Sequence, residues 1–149
     1  MAKHLQLSAL LGLILSCVFS IGCTETLDGP TAELEITGDY LDEWGGLHTI
    51  ENNLWSISFE GSASSLFHVE QYDNDTRELF TLNDENNEWS GGLYSRFDWV
   101  WSNEGTLYFC QTTYDAPTLT DAKETTPPDT FDLMGSGCAG FSWTALDPL

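Results

Sequence analysis

Arg96 is one of only 4 Lys and Arg residues set against 24 acids, and it stands among Tyr94, Phe97, Trp99, Trp101 and Tyr108. A guanidinium presents a planar fork of donors, so two uses suit it here. It can pair with Asp98, which lies two residues on and so on the same face of a strand, while its plane packs on aromatic rings. It can instead anchor a carboxylate or sulfate of a ligand, with Tyr94 as an aromatic wall. The ready counter-ion makes the pair with Asp98 the first expectation. Trp44 and Trp89 lie in glycine- and acid-rich segments, where an exposed indole can stack on a sugar or a protein partner. Arg96, Tyr94, Trp44 and Trp89 are therefore the candidate ligand-binding residues.

Other chemistry is thinly supplied. His48 and His68, with Asp42, Glu43 and Glu70 close in sequence, are the raw material of a transition-metal centre. No HxH or HExxH spacing accompanies them, so hydrogen-bonded strand histidines are expected, and no metal. Asp73-Asn74-Asp75 and Asn83-Asp84-Glu85 are rich in oxygen but do not fit the EF-hand loop. They read as turns, with low-affinity calcium binding as the alternative. There is no G-x-S-x-G elbow and no glycine-rich phosphate loop after a strand. Nothing singles out two carboxylates as a glycosidase pair. Neither a catalytic residue nor a cofactor is expected.

Residues 1–22, MAKHLQLSALLGLILSCVFSIG, carry an early lysine and then an apolar run from Leu5 to Ile21. The run is short for a membrane span and reads as a secretory signal. Ser20-Ile21-Gly22-Cys23 looks like a bacterial lipobox, although leucine usually stands where Ser20 does. On that reading Cys23 takes the lipid and becomes the mature N-terminus. Residues 23–32 then form a polar tether ahead of a single β domain at 33–149. Thr24 is not the aspartate that often marks inner-membrane retention, so the outer membrane or cell surface of a bacterium is the expected address.

Cys110 and Cys138 remain as an even pair, which in an oxidising compartment reads as a disulfide. Two free thiols are the alternative, and a metal site lacks the CxxC spacing. Removing residues 1–22 takes away Lys3 and no acid, leaving Arg77, Arg96 and Lys123 against 24 acids, a net charge of −21. Such a surface repels phosphate backbones, so nucleic acid is excluded as a partner. The expected partners are the membrane, through the lipid, and a glycan, a small ligand or a protein.

The elements that position these residues read almost entirely as strands. Leu34 and Ile36 alternate with Glu33, Glu35 and Thr37, and Trp55, Ile57 and Phe59 alternate with serines and Glu60. Phe67, Val69 and Gln71 oppose Leu66, His68, Glu70 and Tyr72, and Arg77 to Leu82 returns after the Asp73-Asn74-Asp75 turn. Leu93, Ser95, Phe97, Trp99 and Trp101 share one face of the next strand, with Tyr94, Arg96, Asp98 and Val100 on the other. Ser102-Asn103-Glu104-Gly105 turns into Leu107 to Gln111. One short helix is expected from Asp115-Ala116-Pro117 to about Lys123 or Glu124, and a last strand around Phe141 to Thr144. Six to eight short strands close most naturally as a small antiparallel barrel or sandwich, an all-β fold without bare edges.

Gly38-Asp39-Tyr40, Gly45-Gly46-Leu47-His48-Thr49-Ile50, Tyr94-Ser95-Arg96-Phe97-Asp98-Trp99, Leu107-Tyr108-Phe109-Cys110-Gln111 and Gly137-Cys138-Ala139-Gly140-Phe141-Ser142-Trp143 together resemble a group of uncharacterised bacterial exported lipoprotein domains. The likeness covers residues 38–143, departing at Phe109, where tyrosine is usual, and at Ala139, where glycine is. It implies a compact extracytoplasmic domain with a Cys110–Cys138 bridge, and it implies no activity. A non-catalytic binding module of the envelope is the resulting expectation. A small envelope hydrolase using a carboxylate pair or a histidine centre is the alternative.

Overall fold

The computed structural model describes residues 32–149. The signal segment, Cys23 and nearly all of the tether lie outside the described residues. Eight antiparallel strands close into an up-and-down barrel: β1 (Gly38–Asp42), β2 (Leu47–Ile50), β3 (Leu54–Ser58), β4 (Ser65–Asp73), β5 (Glu78–Asn83), β6 (Tyr94–Trp101), β7 (Leu107–Ala116) and β8 (Thr144–Pro148). The one helix among the described residues, the short α1 (Leu119–Glu124), lies in the connection between β7 and β8. Pairing of β8 with β1, from Tyr40↔Pro148 to Asp42↔Leu146, closes the ring and leaves no bare edge.

Alternation fills the interior. Tyr40, Ile50, Trp55, Phe67, Leu79, Phe97, Trp99, Leu107, Phe109 and Leu146 point inward from all eight strands and form one buried cluster. Trp55 stacks on Phe97 with ring centroids 4.5 Å apart, and Phe67 meets Phe97 edge-on at 5.0 Å. Trp101 continues the same face, but it ends β6 and is exposed.

Because strand direction alternates, connections β1–β2, β3–β4, β5–β6 and β7–β8 leave at one end, the rim end. Connections β2–β3, β4–β5 and β6–β7 leave at the opposite, plug end. Residues 32–37 close the plug end. Leu34 and Ile36 do not belong to a strand, as their alternation suggested. They lie in a turn before β1 and join the core cluster as a stopper. The Leu34 amide donates to Asn52 Oδ1 and the Glu35 amide to Asn74 Oδ1, while the Asn74 amide group donates to the Glu33 carbonyl. Two plug-end turns thus hold a segment whose own period-two pattern looks like a strand.

A register shift between Val69 and Gln71 bulges β4 and turns Tyr72, rather than Gln71, toward the core. The helix begins later than its proline suggested. β7 runs on to Ala116, and Thr118 caps α1 by accepting from the Asp121 amide. β8 likewise begins only at Thr144, because Phe141 is held in an isolated bridge to Cys138.

The long β7–β8 connection folds back over the outside of β5, β6 and β7. Phe80, Ala116 and Ala122 form one outer cluster with Tyr94 and Leu119 beside them. Cys110, Cys138 and Trp143 form another, against Val100, Tyr108 and Leu133. A Cys110–Cys138 disulfide, with Cα atoms 5.5 Å apart, fastens the cover. Strand β6 is consequently buried on both faces.

Candidate functional site

Arg96 lies under that cover, on the outer face of β6, and is 3% exposed. Its Nε donates to both Asp98 oxygens at 3.0 and 3.1 Å. Its Nη2 donates to Asp98 Oδ1 at 2.8 Å and to Glu78 Oε2 at 2.9 Å, and its Nη1 to the Thr125 carbonyl at 2.9 Å. The guanidinium carbon stands 5.6 Å from the centre of the Phe80 ring. Register shifts between β6 and β7 on either side of Arg96 leave Thr112 unpaired in the ladder, and its hydroxyl donates to Asp98. The fork is thus engaged by groups of the chain itself, and an external anion would have to displace Asp98 or Glu78. Tyr94 packs against the Phe80 cluster beside α1.

The two histidines are kept apart. His48, on β2, faces the barrel interior, while His68, on β4, is exposed on the outside. His48 Nε2 lies 3.0 Å from Asp42 Oδ2, and the Trp55 indole donates to His48 Nδ1 at 3.1 Å. With Nδ1 accepting, Nε2 carries the proton and the ring is neutral. Burial pushes His48 below its ordinary value, against the opposing pull of the Asp42 hydrogen bond and charge. Burial pushes Asp42 up, but hydrogen bonds from His48 and from the Gly46 and Trp44 amides outweigh it and hold the carboxyl low. The arrangement stitches the β1–β2 turn to the core.

His68 Nε2 lies 2.9 Å from Asp84 Oδ2 in a shallow cleft of about 220 Å³, lined also by Leu82, Asn83, Glu85 and Asn86. The His68 hydrogen bond, followed by those from the Asn86 amide and side chain, brings Asp84 down to about 2. Both oxygen-rich segments serve as turns. Asp73 Oδ1 accepts from the amides of Asp75 and Thr76, and Asp84 Oδ1 accepts from the amide of Asn86, while Asn83 ends β5 and donates to the carbonyls of Ser90 and Tyr114. Among the described residues, no three His, Cys, Asp or Glu side chains converge as a metal-holding group.

Trp44 and Trp89 stand at the rim end, 72% and 78% exposed, on the β1–β2 and β5–β6 connections. Phe59, in the β3–β4 connection, is 43% exposed and joins them. The three connections are contiguous. Gly46 packs so tightly that an added Cβ would lie 2.9 Å from Phe59 Cζ, which ties the first to the second. Asn87 exchanges hydrogen bonds with both backbone groups of Leu66, tying the third to the start of β4. The four expected ligand residues therefore separate: Trp44 and Trp89 belong to the rim, Arg96 and Tyr94 to the covered outer wall. Sequence reasoning missed Phe59 because it continued the alternation of β3. It also missed Glu78, Thr112 and Thr125, whose roles depend on register and on the returning cover. Comparison with family models, with characterised proteins and with solved structures finds no match to this chain.

Proposed function

We propose that this protein is an exported, lipid-anchored, non-catalytic binding module of a bacterial envelope, tethered through Cys23 and meeting its partner with the rim end of the barrel. The observation that carries the reading is the exposure of Trp44, Phe59 and Trp89 on three contiguous connections of a barrel whose interior is filled by its own side chains. A filled barrel recognises at its ends or on its walls. Residues 32–37 lie at the plug end, so the chain from Cys23 enters the barrel opposite the rim. The Cys110–Cys138 bridge suits an oxidising compartment, and the net charge of −20 disfavours nucleic acid. The lipobox at Cys23, followed by Thr24, supports placement at the outer membrane or surface.

The competing hydrolase reading has its best candidate in His68, an exposed imidazole oriented by Asp84. Thermal unfolding of the oxidised full chain against glycans, peptides and small anions separates the two. A ligand that raises Tm, with the rise abolished by Trp44→Ala or Trp89→Ala and the ligand recovered unchanged, is the expected result. Turnover abolished by His68→Gln would overturn it. Metabolic labelling with a fatty acid, lost in Cys23→Ala, tests the anchor separately.

A further inference from the structure

We infer that the rim end takes a protein segment rich in Lys and Arg, gripped by three aromatic–glutamate pairs: Glu43 with Trp44, Phe59 with Glu60, and Glu88 with Trp89. This rests on the binding-module reading and names the class of its partner. All six residues are exposed, and each pair is adjacent in sequence on one of three connections that follow one another around the rim, the first packed on the second and the third tied to the start of β4. A cation over an aromatic face is drawn by the ring quadrupole, and a carboxylate beside the ring adds a charge-assisted hydrogen bond. The aliphatic stems of Lys and Arg cover the apolar part of such a surface. A neutral sugar could stack on the aromatics and donate hydroxyls to the carboxylates, but it leaves their three negative charges uncompensated, which a Lys- or Arg-rich segment does not.

The charge distribution selects the same partner. Arg77 sits in the β4–β5 turn at the plug end beside Glu35, Arg96 is enclosed with Asp98 and Glu78, and Lys123 lies on α1 over the Phe80 ring. None of these cations is on the β1–β2, β3–β4 or β5–β6 connection, and Lys123, on the remaining rim-end connection, is turned back onto Phe80 of the wall. These three connections thus carry acids and no Lys or Arg, which disfavours anionic lipid, acidic glycan and nucleic acid there and steers a basic partner toward the aromatics.

The test uses the oxidised full chain and a fluorescent hexa-arginine peptide, read by anisotropy at low and at physiological salt, with a hexa-serine peptide as comparison. One variant neutralises the rim, Glu43→Gln/Glu60→Gln/Glu88→Gln. A second keeps the charge and removes the rings, Trp44→Ala/Trp89→Ala. A third neutralises one acid on each plug-end turn, Glu51→Gln/Asp75→Asn/Glu104→Gln. The expected result is roughly tenfold weaker binding in each of the first two and less than about twofold in the third. Equal losses in the two charge-neutralised variants would overturn the inference, because binding would then follow net charge alone. Failure of the peptide to bind would overturn it too. If a neutral glycan binds instead, and depends on Trp44 and Trp89, the binding module stands and the basic partner falls. If no probe reaches the rim by any readout, both fall together. Far-ultraviolet circular dichroism of every variant confirms that the barrel is intact before the comparison is made.

Discussion

Arg96 shows how a single cation can organise the wall of an acidic barrel. It joins a strand neighbour, a residue on β5 and a carbonyl from the covering connection, so its removal strands the buried Asp98 carboxylate and leaves the half-buried Glu78 without its partner. Arg96→Ala is expected to cost about 3–5 kcal/mol in urea unfolding. Arg96→Lys should recover only part of this, because an ammonium cannot span Asp98 and Glu78 in a planar fork. His48 makes the second prediction at this scale. Its proton affinity is lowered in the folded chain, so below the ordinary histidine value near 6.5 the unfolded chain binds more protons. Stability is therefore full above that value and falls as the pH drops below it, with Asp42 adding a further loss below the usual carboxylate range. Tm measured from about pH 7 down to about pH 5 should decline, and His48→Gln should flatten much of the slope. The Arg96–Asp98 pair was legible because two residues apart on a strand means one face. The Asp42–His48–Trp55 chain was not, because it needs the register that sets His48 against Ile57 and places Trp55 on the same inner layer.

At the scale of elements, the β7–β8 connection decides what is covered. Its disulfide closes a 28-residue separation, worth roughly 3–4 kcal/mol on the chain-entropy account. Reduction should lower stability by about that amount, and hydrogen exchange should show protection lost first at α1, which packs only on the outside of β5, β6 and β7. The strands were largely readable from alternation, since one face of β1 to β4 is largely wet. Strand β6 alternates in the same way, yet its outer face is dry, because a segment remote in sequence returns over it. The segment holding Leu34 and Ile36 alternates too, and its side chains do enter the core. Only its backbone departs, because Asn52 and Asn74 supply the hydrogen bonds that a neighbouring strand would have given. Pattern reports which side chains are buried more faithfully than it reports how the backbone is satisfied.

For the molecule as a whole, the two ends of the barrel differ in kind. The plug end is stability: Ile36→Ala, at a fully buried position, is expected to cost about 2–4 kcal/mol in urea unfolding. The rim end is not: Trp44→Ala and Trp89→Ala should leave stability within about 0.5 kcal/mol while changing what the protein binds. A variant pair that moved the two properties together would contradict this division. The seam between β1 and β8 has a consequence for how the barrel comes to exist. Every other strand pair joins neighbours along the chain, and all but β7–β8 are linked by comparatively short connections, but Asp42 must find Leu146 across nearly the whole domain. Until it does, two strands stand with unpaired backbone groups, the state in which such chains associate with one another. The Cys110–Cys138 link, formed between β7 and the approach to β8, already holds the last strand beside its first neighbour. In the oxidised chain the slow search is thereby reduced to one edge meeting one edge, and the disulfide acts on the route to the closed ring as well as on the ring itself.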